Sequence, residues 1–348
     1  DKEDNLINSA DNLIISDCPS SYQKIYVSQN SGSDSKDGKS EANALKTLDK
    51  AKQIATSSAS EGICILLKGG ETFNQFTSHT DTRIEEGARN TFAFIWDLNK
   101  ELLFTSYGSG KAILTQPGDA GSGNPCGPIA ILGTTKKVKI TNIELNKWQS
   151  YGIFVRYAEN VEITNNKLDQ IGTKFFSDSK NDDYYGAGVL YVKDSNNVIM
   201  NNNELTNLHN QKNMMAELHA FYLTRDDNIE IKNNFVKYAS GPPIKFRRDT
   251  KNVLVESNEL YYTSPATSLG LSQEGWVRYS GDSGGVCPSD ITIKNNKFYY
   301  PYCEGSNCGS AKAKKCSISN TDACGSNSCE TKISWQNNDF KYNWESDL

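Results

Sequence analysis

One pattern of apolar and polar residues recurs seven times between Val138 and Phe340. The copies read VKITNIEL, VEITNNKL, VIMNNNEL, IEIKNNFV, VLVESNEL, ITIKNNKF and ISWQNNDF, and they begin at Val138, Val161, Val198, Ile229, Val253, Ile291 and Ile333. Each copy starts with a β-branched residue, and five copies carry another two places later. Apolar residues at alternate positions predict a short strand that is buried on one side. Recurrence at intervals of 23 to 42 residues predicts a solenoid.

The shortest intervals define the basic repeat. Val138 and Val161 are 23 residues apart, and Ile229 and Val253 are 24 apart. That length accommodates three short strands and their turns. We therefore expect a stack of coils, with parallel strands about 4.8 Å apart and matched apolar positions in every coil.

An asparagine occupies the sixth position in six of the seven copies. These residues are Asn166, Asn203, Asn234, Asn258, Asn296 and Asn338. Asparagine favours turns, and stacked amides can bond to one another and to the turn backbone. The repeated asparagine is therefore predicted to be part of the scaffold rather than of a functional site.

The N-terminal region is predicted to start and cap the stack. Residues 1–22 are polar and are interpreted as a loosely attached lead-in, with one solenoid domain over 23–348. Ile25–Ser28 predicts a strand, and the apolar spacing over Ala42–Thr56 predicts an amphipathic helix. The following ICILLKGGETF predicts a buried strand that ends at a Gly-Gly turn. A helix at this place would cover the open end of the stacked strands.

The long insertions all follow a repeated phrase and precede the next strand. They comprise Asp169–Tyr185, Thr206–Glu217, Thr263–Ser283 and Tyr299–Lys332. Insertions at one corner of successive coils become loops along one edge, which is often the binding face.

The strand that follows these loops reads PIAIL, GIFVR, GVLYV, AFYLT and PIKFR in successive coils. We align them by counting back from each phrase, and GIFVR then needs a one-residue slip. The predicted inward residues are Ile129, Ile131, Val189, Tyr191, Ala220, Tyr222, Ile244 and Phe246. The opposite choice would bury Lys245 and Arg247 without partners, which costs several kcal/mol. Phe154, Leu190, Phe221 and Leu223 then point outward, as sugar-stacking platforms or, as we favour, under loop cover.

Cationic residues are predicted to follow the loop-bearing edge. Lys245, Arg247 and Arg156 would face the groove, Arg248 lies at the turn, and His219 and Arg278 would extend the line. Such a row in a protein of net charge −5 suggests a groove for an anionic polymer. The alternative is that the cations pair with loop carboxylates, namely Asp182, Asp183, Glu217, Glu274 or Asp282.

Composition excludes some classes of function. The net negative charge argues against a general nucleic-acid binder, and no apolar run approaches the roughly 18 residues of a membrane span. The chain begins at Asp1 without Met, so we expect that an export signal has been removed.

Nine cysteines favour an oxidising compartment. They are Cys18, Cys64, Cys126, Cys287, Cys303, Cys308, Cys316, Cys324 and Cys329, and the last six lie in a Gly/Ser/Asn-rich stretch. Such a stretch has little to pack, which favours disulfides in a secreted, periplasmic or cell-surface protein. A zinc site is the alternative, but the cysteine spacings are wider than C-x2-C and no histidine lies in this stretch.

The N-terminal third also resembles a known superfamily. The segments YVSQNSGSDSKDGKS, ALKTLDKA, ILLKGGETF and FTSYGSGKAIL are similar to the first part of secreted proteins in the pectate-lyase-like superfamily. With the repeats, the resemblance covers Tyr26 to Phe340. It implies an all-β fold, a single-stranded right-handed parallel β-helix with an N-terminal capping helix. The superfamily includes lyases, hydrolases, epimerases and non-catalytic surface proteins, so the fold does not determine the reaction.

A polysaccharide lyase that cleaves a uronic-acid polymer by β-elimination is the favoured function. Such an enzyme must neutralise the carboxylate, remove the C5 proton and protonate the leaving oxygen. Lys245 or His219 is the candidate base, Arg247 and Arg156 would hold the carboxylate, and Tyr185 or Tyr222 would donate the proton. Further candidates for substrate binding are Arg248, Arg278 and Phe221. The resemblance implies Ca2+, with Asp182, Asp183 and Glu217 as candidate ligands, and no organic cofactor.

Three alternatives remain on the same fold. A hydrolase of the polygalacturonase type would show N-x-D, D-D, G-H-G and R-I-K motifs. Here Asp182-Asp183 supplies D-D, but His219 lies in Leu-His-Ala and no R-I-K occurs. A C5-epimerase would use the same proton abstraction as a lyase. A glycan-binding or adhesin-type β-helix would use the cations only for binding or for local ion pairs. The expected partner is an acidic polysaccharide, and a monomer is favoured.

Overall fold

A computed structural model of the protein describes residues 18–84, 91–119, 124–175, 188–210, 217–263, 275–280, 287–301, 314–318 and 333–342. Within these ranges the chain forms 27 short strands and one α-helix, α1 (Leu48–Ser57). Two 3-10 turns lie at Glu41–Asn43 and Thr173–Phe175. None of the helices in these ranges is long and apolar enough to cross a membrane.

The strands are short throughout. Those of the first part are β1 (Gln23–Val27), β2 (Gly62–Lys68), β3 (Thr72–Phe73), β4 (Phe92–Trp96), β5 (Glu101–Tyr107), β6 (Ala112–Thr115), β7 (Gly127–Leu132), β8 (Val138–Thr141), β9 (Ile143–Trp148), β10 (Ile153–Arg156), β11 (Glu159–Thr164) and β12 (Lys167–Ile171). Those of the second part are β13 (Gly188–Lys193), β14 (Asn196–Asn201), β15 (Glu204–Leu208), β16 (His219–Thr224), β17 (Asp227–Lys232), β18 (Phe235–Ala239), β19 (Ile244–Arg247), β20 (Lys251–Glu256), β21 (Glu259–Thr263), β22 (Gly275–Ser280), β23 (Ile291–Lys294), β24 (Lys297–Tyr299), β25 (Lys314–Ile318), β26 (Ile333–Gln336) and β27 (Asp339–Lys341).

Three parallel sheets make up the predicted solenoid. Sheet 1 has the order β1-β2-β5-β8-β11-β14-β17-β20-β23-β26, sheet 2 has β4-β7-β10-β13-β16-β19-β22-β25, and sheet 3 has β3-β6-β9-β12-β15-β18-β21-β24-β27. A typical coil contributes one strand to sheet 2, then one to sheet 1 and one to sheet 3. The first residues of the seven repeated phrases pair with one another in chain order along sheet 1, so the predicted register is confirmed.

The capping helix is shorter than the sequence predicted. Leu45, predicted to be helical, instead makes an isolated bridge to Val27 beside β1. Asp34 Oδ1 accepts the backbone N–H groups of Lys46 and Thr47, which holds this segment in a loop. Thr47 then caps α1, whose buried residues pack into the main core next to β1. The helix therefore covers the first coil, as expected, but begins at Leu48.

The repeated asparagines form a buried ladder between sheets 1 and 3. Their side-chain amides are joined in sequence, with N–O distances of 3.2, 3.0, 2.9, 2.9 and 2.9 Å from Asn166 to Asn338. Each amide also donates to a strand carbonyl of the preceding coil, as Asn234 does to Met200 at 2.8 Å. The left-handed residue of the turn is the one before the ladder, for example Asn233 with φ of 54°. The ladder is therefore structural, as predicted.

Disulfide bonding is present, as the cysteine content predicted. Cys18 is bonded to Cys64 of β2, so the predicted lead-in of residues 1–22 is tied to the stack from Cys18 onward. Cys287, the first of the six C-terminal cysteines, also forms a disulfide. The other five lie outside the residues whose side chains the structure describes.

The predicted side-chain direction in sheet 2 is right for β7, β10 and β19 but wrong for part of β13 and β16. Leu190, Phe221 and Leu223, predicted to be outward, lie in the main core. Tyr191 and Tyr222, predicted to be inward, belong to a separate cluster with Phe154. The physical reason is register, because Tyr222 pairs with Lys245 and so shares its face. Val189 and Ala220 are in the main core as predicted.

We predict that replacing a ladder asparagine destabilises the fold. Asn234→Ala removes an acceptor for the Asn203 backbone N–H and a donor to the Met200 carbonyl, both buried. Leaving such groups unpaired should lower the free energy of unfolding by about 3 kcal/mol. Chemical denaturation followed by circular dichroism measures this change.

Asn146→Ala is the matched control for that prediction. Asn146 is half-buried on β9 and makes only a 3.4 Å contact with Asp169. Its replacement should change stability by less than about 0.5 kcal/mol. Equal effects of the two substitutions would contradict a specific contribution from the ladder.

Candidate functional site

Sheet 2 presents two rows of outward side chains, placed by the register of its strands. The first outward row consists of Phe154, Tyr191, Tyr222, Lys245 and Arg278. The second outward row consists of Arg156, Lys193, Thr224 and Arg247. The first row thus changes from aromatic to cationic between Tyr222 and Lys245.

The aromatic half of the first outward row is packed rather than open. Phe154 is 3% exposed and stacks against Phe92 with ring centroids 5.9 Å apart. Tyr191 and Tyr222 stack almost in parallel, with centroids 4.5 Å apart and planes inclined by 5°. Phe154 is therefore not an open sugar platform, and its ring partners Phe92 and Tyr191 belong to strands of sheet 2 rather than to the predicted loops.

Tyr222 lies where the aromatic and cationic halves meet. Arg247 Nη1 donates to its hydroxyl at 3.1 Å, and Lys245 Nζ lies 4.6 Å from its ring centre. Burial by itself raises the pKa of a phenol, but the charges of Lys245 and Arg247 outweigh burial here. The pKa of Tyr222 is therefore below its usual value of 10, which favours the phenolate.

Glu217 bridges the two cations at the end of the first row. Its Oε2 is 3.7 Å from Lys245 Nζ, and its Oε1 accepts from Arg278 Nη1 at 3.1 Å. Burial opposes ionisation, yet the two cations hold the pKa of Glu217 below its usual 4.5. The alternative prediction, that groove cations pair with loop carboxylates, therefore holds for Lys245 and Arg278.

His219 is close to this group but is enclosed. It is 0% exposed, its Nδ1 lies 2.7 Å from the Pro242 carbonyl, and its ring is 5.5 Å from the Tyr222 ring. Burial, and then the charges of Lys245 and Arg278, lower its pKa well below 6.5. The imidazole is thus neutral, and the Pro242 contact assigns its proton to Nδ1. The expectation that His219 points into an open groove is wrong.

Other predicted site residues are not brought to Tyr222. Phe221 points into the main core and cannot contact a ligand on the outer face. Arg156 is three strands from Arg247 along the second row, about 14 Å at normal strand spacing, so the two cannot hold one carboxylate. Arg248 lies at the turn after β19, with a left-handed φ of 56°. Tyr185, Asp182 and Asp183 lie outside the described residues.

Sequence reasoning missed a second group of cations beside Arg156. Lys193 pairs with Arg156 in the second row, and Arg225 binds Asp194, which also contacts Arg156 at 3.3 Å. Burial, followed by the charge of Arg225, lowers the pKa of Lys193 to about 8. The sequence did contain this signal. Once GIFVR is shifted by the one-residue slip, its last residue, Arg156, aligns with Lys193, which directly follows GVLYV. A cavity of about 320 Å³ beside it is lined in part by Asp194, Arg225 and Asp226.

Of the three implied calcium ligands, only Glu217 lies among the described residues, and its contacts do not suit a calcium ion. Glu217 uses both carboxylate oxygens on cations, and a divalent ion beside Lys245 and Arg278 would meet like charge. Within the described part of the chain, no group of three or more His, Cys, Asp or Glu residues is arranged to hold a metal ion.

Comparisons with known proteins agree with this architecture. The family described as right handed beta helix region matches residues 128–340, while no curated protein matches the sequence. An alginate lyase from Paenibacillus sp. has a similar structure, with a TM-score of 0.51 and 13% identity over 86% of this chain and 95% of the lyase.

Two further solved structures are more distant. A rhamnogalacturonan lyase has a TM-score of 0.45 and 11% identity over 91% of this chain and 87% of its own. A pectate lyase has a TM-score of 0.44 and 11% identity over 93% of this chain and 78% of its own. At these identities the likeness concerns the fold. With three parallel sheets and a family match over more than half of its length, the chain belongs to the right-handed β-helix family.

Proposed function

We propose that this protein is a secreted polysaccharide lyase that cleaves a uronic-acid polymer on the outer face of sheet 2. The observation that carries the proposal is the placement of Tyr222, whose hydroxyl is within hydrogen-bond distance of Arg247 and whose ring lies against Lys245. This places an acid–base group of lowered pKa next to cations that can neutralise a substrate carboxylate.

The first requirement of the reaction is an acidic C5 proton. The uronate carboxylate binds Lys245 and Arg278, which are paired on adjacent strands in the cationic half of the first row. Neutralising the carboxylate stabilises the negative charge that develops when the C5–H bond breaks. Both cations are held by the sheet, so the substrate carboxylate has to displace only the Glu217 side chain that contacts them.

Tyr222 is the proposed group that moves the proton. Its phenolate oxygen takes the C5 proton, the C–H electron pair forms the C4–C5 double bond, and the C4–O bond breaks. The phenol then returns a proton to the leaving oxygen, which departs as a hydroxyl group. Atoms and charge balance without a cofactor. A general acid–base group of this kind typically contributes a factor of about 10² to 10⁴ in rate.

This assignment changes the roles expected from sequence. Lys245 is held as the cationic partner of Glu217 and of the Tyr222 ring, and a protonated lysine has no free electron pair with which to accept a proton. His219 is neutral, but its ring packs against the Tyr222 ring and its Nδ1 is directed at the Pro242 carbonyl, so its assigned role is to support Tyr222, which is itself only 3% exposed. Arg247 stabilises the phenolate through its hydrogen bond.

Two further observations support the proposal. The fold is that of a solved alginate lyase, although the low identity means that this likeness adds no residue assignments. The Cys18–Cys64 disulfide supports a secreted, periplasmic or cell-surface location, where such polymers occur. A C5-epimerase would use the same proton abstraction without breaking the C4–O bond, and a glycan-binding protein would bind without either step.

We predict that Tyr222→Phe and Lys245→Ala each lower the rate of cleavage by about 100-fold or more, because one lacks the proton carrier and the other a neutralising cation. Purified protein is incubated with alginate, pectate, glucuronan and glycosaminoglycans, and the ultraviolet absorbance of the unsaturated uronate is followed. Product NMR separates cleavage from inversion at C5.

Controls for this experiment are available elsewhere on the solenoid. Tyr238→Phe alters a half-buried tyrosine of β18 in sheet 3, and Lys232→Ala removes a half-buried lysine from sheet 1. Both should retain activity close to that of the unaltered protein. Full activity in Lys245→Ala or Tyr222→Phe would rule out the assigned roles, and binding without any product would favour the non-catalytic alternative.

We predict that Arg247→Gln moves the pH dependence of cleavage upward by about one pH unit. Activity rises with pH as Tyr222 loses its proton, and Arg247 is one of two cations that lower the pKa of Tyr222. Removing it raises that pKa, so the phenolate forms only at higher pH. The pH–rate profile and the tyrosinate absorbance of the protein both report the shift.

Lys251→Gln is the matched control for loss of one positive charge, because Lys251 lines the cavity formed in part by Asp194 and Arg225 and pairs with Asp227. It should leave the profile in place. An unchanged profile in Arg247→Gln would mean that Tyr222 is not the group whose ionisation limits the rate.

A further inference from the structure

Glu217 stands out among the charged residues of the site because it is less buried than both of its partners. Its side chain is 37% exposed, whereas those of Lys245 and Arg278 are 10% and 15% exposed. The two cations belong to paired positions of β19 and β22. Glu217 precedes β16 and lies outside the hydrogen-bonded ladder of sheet 2. The cations are therefore the fixed part of the contact, and the carboxylate approaches them from the solvent side.

Glu217 contacts Lys245 and Arg278 in the way that the carboxylate of a bound ligand would. Each oxygen of Glu217 faces a different cation, at 3.7 Å for Lys245 and 3.1 Å for Arg278. A uronate carboxylate has the same two-oxygen shape and the same charge. Because two largely buried cations share this single carboxylate as a common partner, removing it without replacement would leave like charges facing each other across adjacent strands.

We propose that Glu217 is a built-in competitor that occupies the substrate carboxylate position of this site. This inference rests on the proposed function, because it assigns Lys245 and Arg278 to a uronate. A substrate that brings its own carboxylate exchanges one ion pair for another. A sugar without a charge cannot make that exchange, so Glu217 sets a threshold that favours free uronates over neutral or esterified residues at this position.

Glu217 carries the negative charge that this competition requires at neutral pH. The cations hold the pKa of Glu217 below its usual 4.5 against the opposing effect of burial, so the carboxylate stays ionised at neutral pH. Only acid would discharge it. After cleavage the same carboxylate can return to its cations and help displace the product.

Binding to cleavage-deficient protein tests the proposal directly. In a Tyr222→Phe background, Glu217→Gln removes the competing charge and keeps the side-chain shape. We expect the Kd for oligogalacturonate or oligoalginate, measured by calorimetry, to fall about fivefold, the amount that two partly exposed ion pairs of modest strength provide. Glu217→Asp retains the charge and should bind no more tightly than the background protein.

Glu230→Gln in the same background is the matched control. It removes one carboxylate on sheet 1, where Glu230 pairs with Lys232. We expect its Kd to change less than twofold. An equal gain in both variants would mean that only overall charge matters, and an unchanged or weaker affinity in Glu217→Gln would mean that Glu217 organises the cations. Either result overturns the proposal, and thermal unfolding confirms that each variant is folded.

The outcome is separable from that of the lyase proposal. Tighter binding by Glu217→Gln, with no unsaturated product from protein that retains Tyr222, would sustain the competitor and reject the lyase. Formation of unsaturated product by protein that retains Tyr222, with no gain in affinity in Glu217→Gln, would sustain the lyase and reject the competitor. If no uronate oligomer binds any variant, both proposals fail.

Discussion

The hydrogen-bonded asparagine ladder is the constraint on which the positions of the other groups depend. Each buried amide is satisfied only if the next coil supplies its own amide at hydrogen-bond distance, as Asn203 does for Asn166 and Asn234 for Asn203. A slip of one coil by one residue would break these bonds and also turn apolar strand residues outward. The ladder, together with the stacked apolar residues, therefore fixes the register of sheet 2, although it lies at a different corner of the coil.

That register determines the electrostatics of the candidate site. Side chains on adjacent strands are only about 4.8 Å apart, so the order Tyr191, Tyr222, Lys245, Arg278 becomes a row of touching groups. Two opposing effects meet at Tyr222, where burial disfavours the phenolate and two cations favour it, and the cations prevail. At Tyr191, one strand farther from Lys245, burial prevails and the pKa is raised. The charge of the neighbouring Tyr222 also raises the pKa of Tyr191.

The sequence predicted the fold well because every coil repeats one readable signal. The branched residue that opens each phrase identified sheet 1, and the pairing of Val161 with Val198 confirms it. The side-chain directions in sheet 2 were harder to predict. GVLYV and AFYLT are apolar at nearly every position, so alternation does not show which side chains face the core. Lys245 and Arg247 were placed correctly because a buried unpaired charge is costly. Glu217 was named as a ligand of metal or a partner of cations, and only the structure could choose the cations.

The same contact links the stability of the site to its selectivity. Lys245 and Arg278 are too enclosed to be well hydrated and are held close together by the sheet, so the unliganded protein requires a counterion there. A fixed counterion inside the sheet would block the site, whereas Glu217 lies outside the strand pairing of sheet 2 and, in the proposed exchange, gives way to a substrate carboxylate. Because Glu217 lies outside the paired strands of sheet 2, its carboxylate neutralises the two cations in the unliganded protein and still leaves them available to a substrate carboxylate. On this view the rigid solenoid supplies the positions of charge, and a single residue at its edge decides which anions can use them.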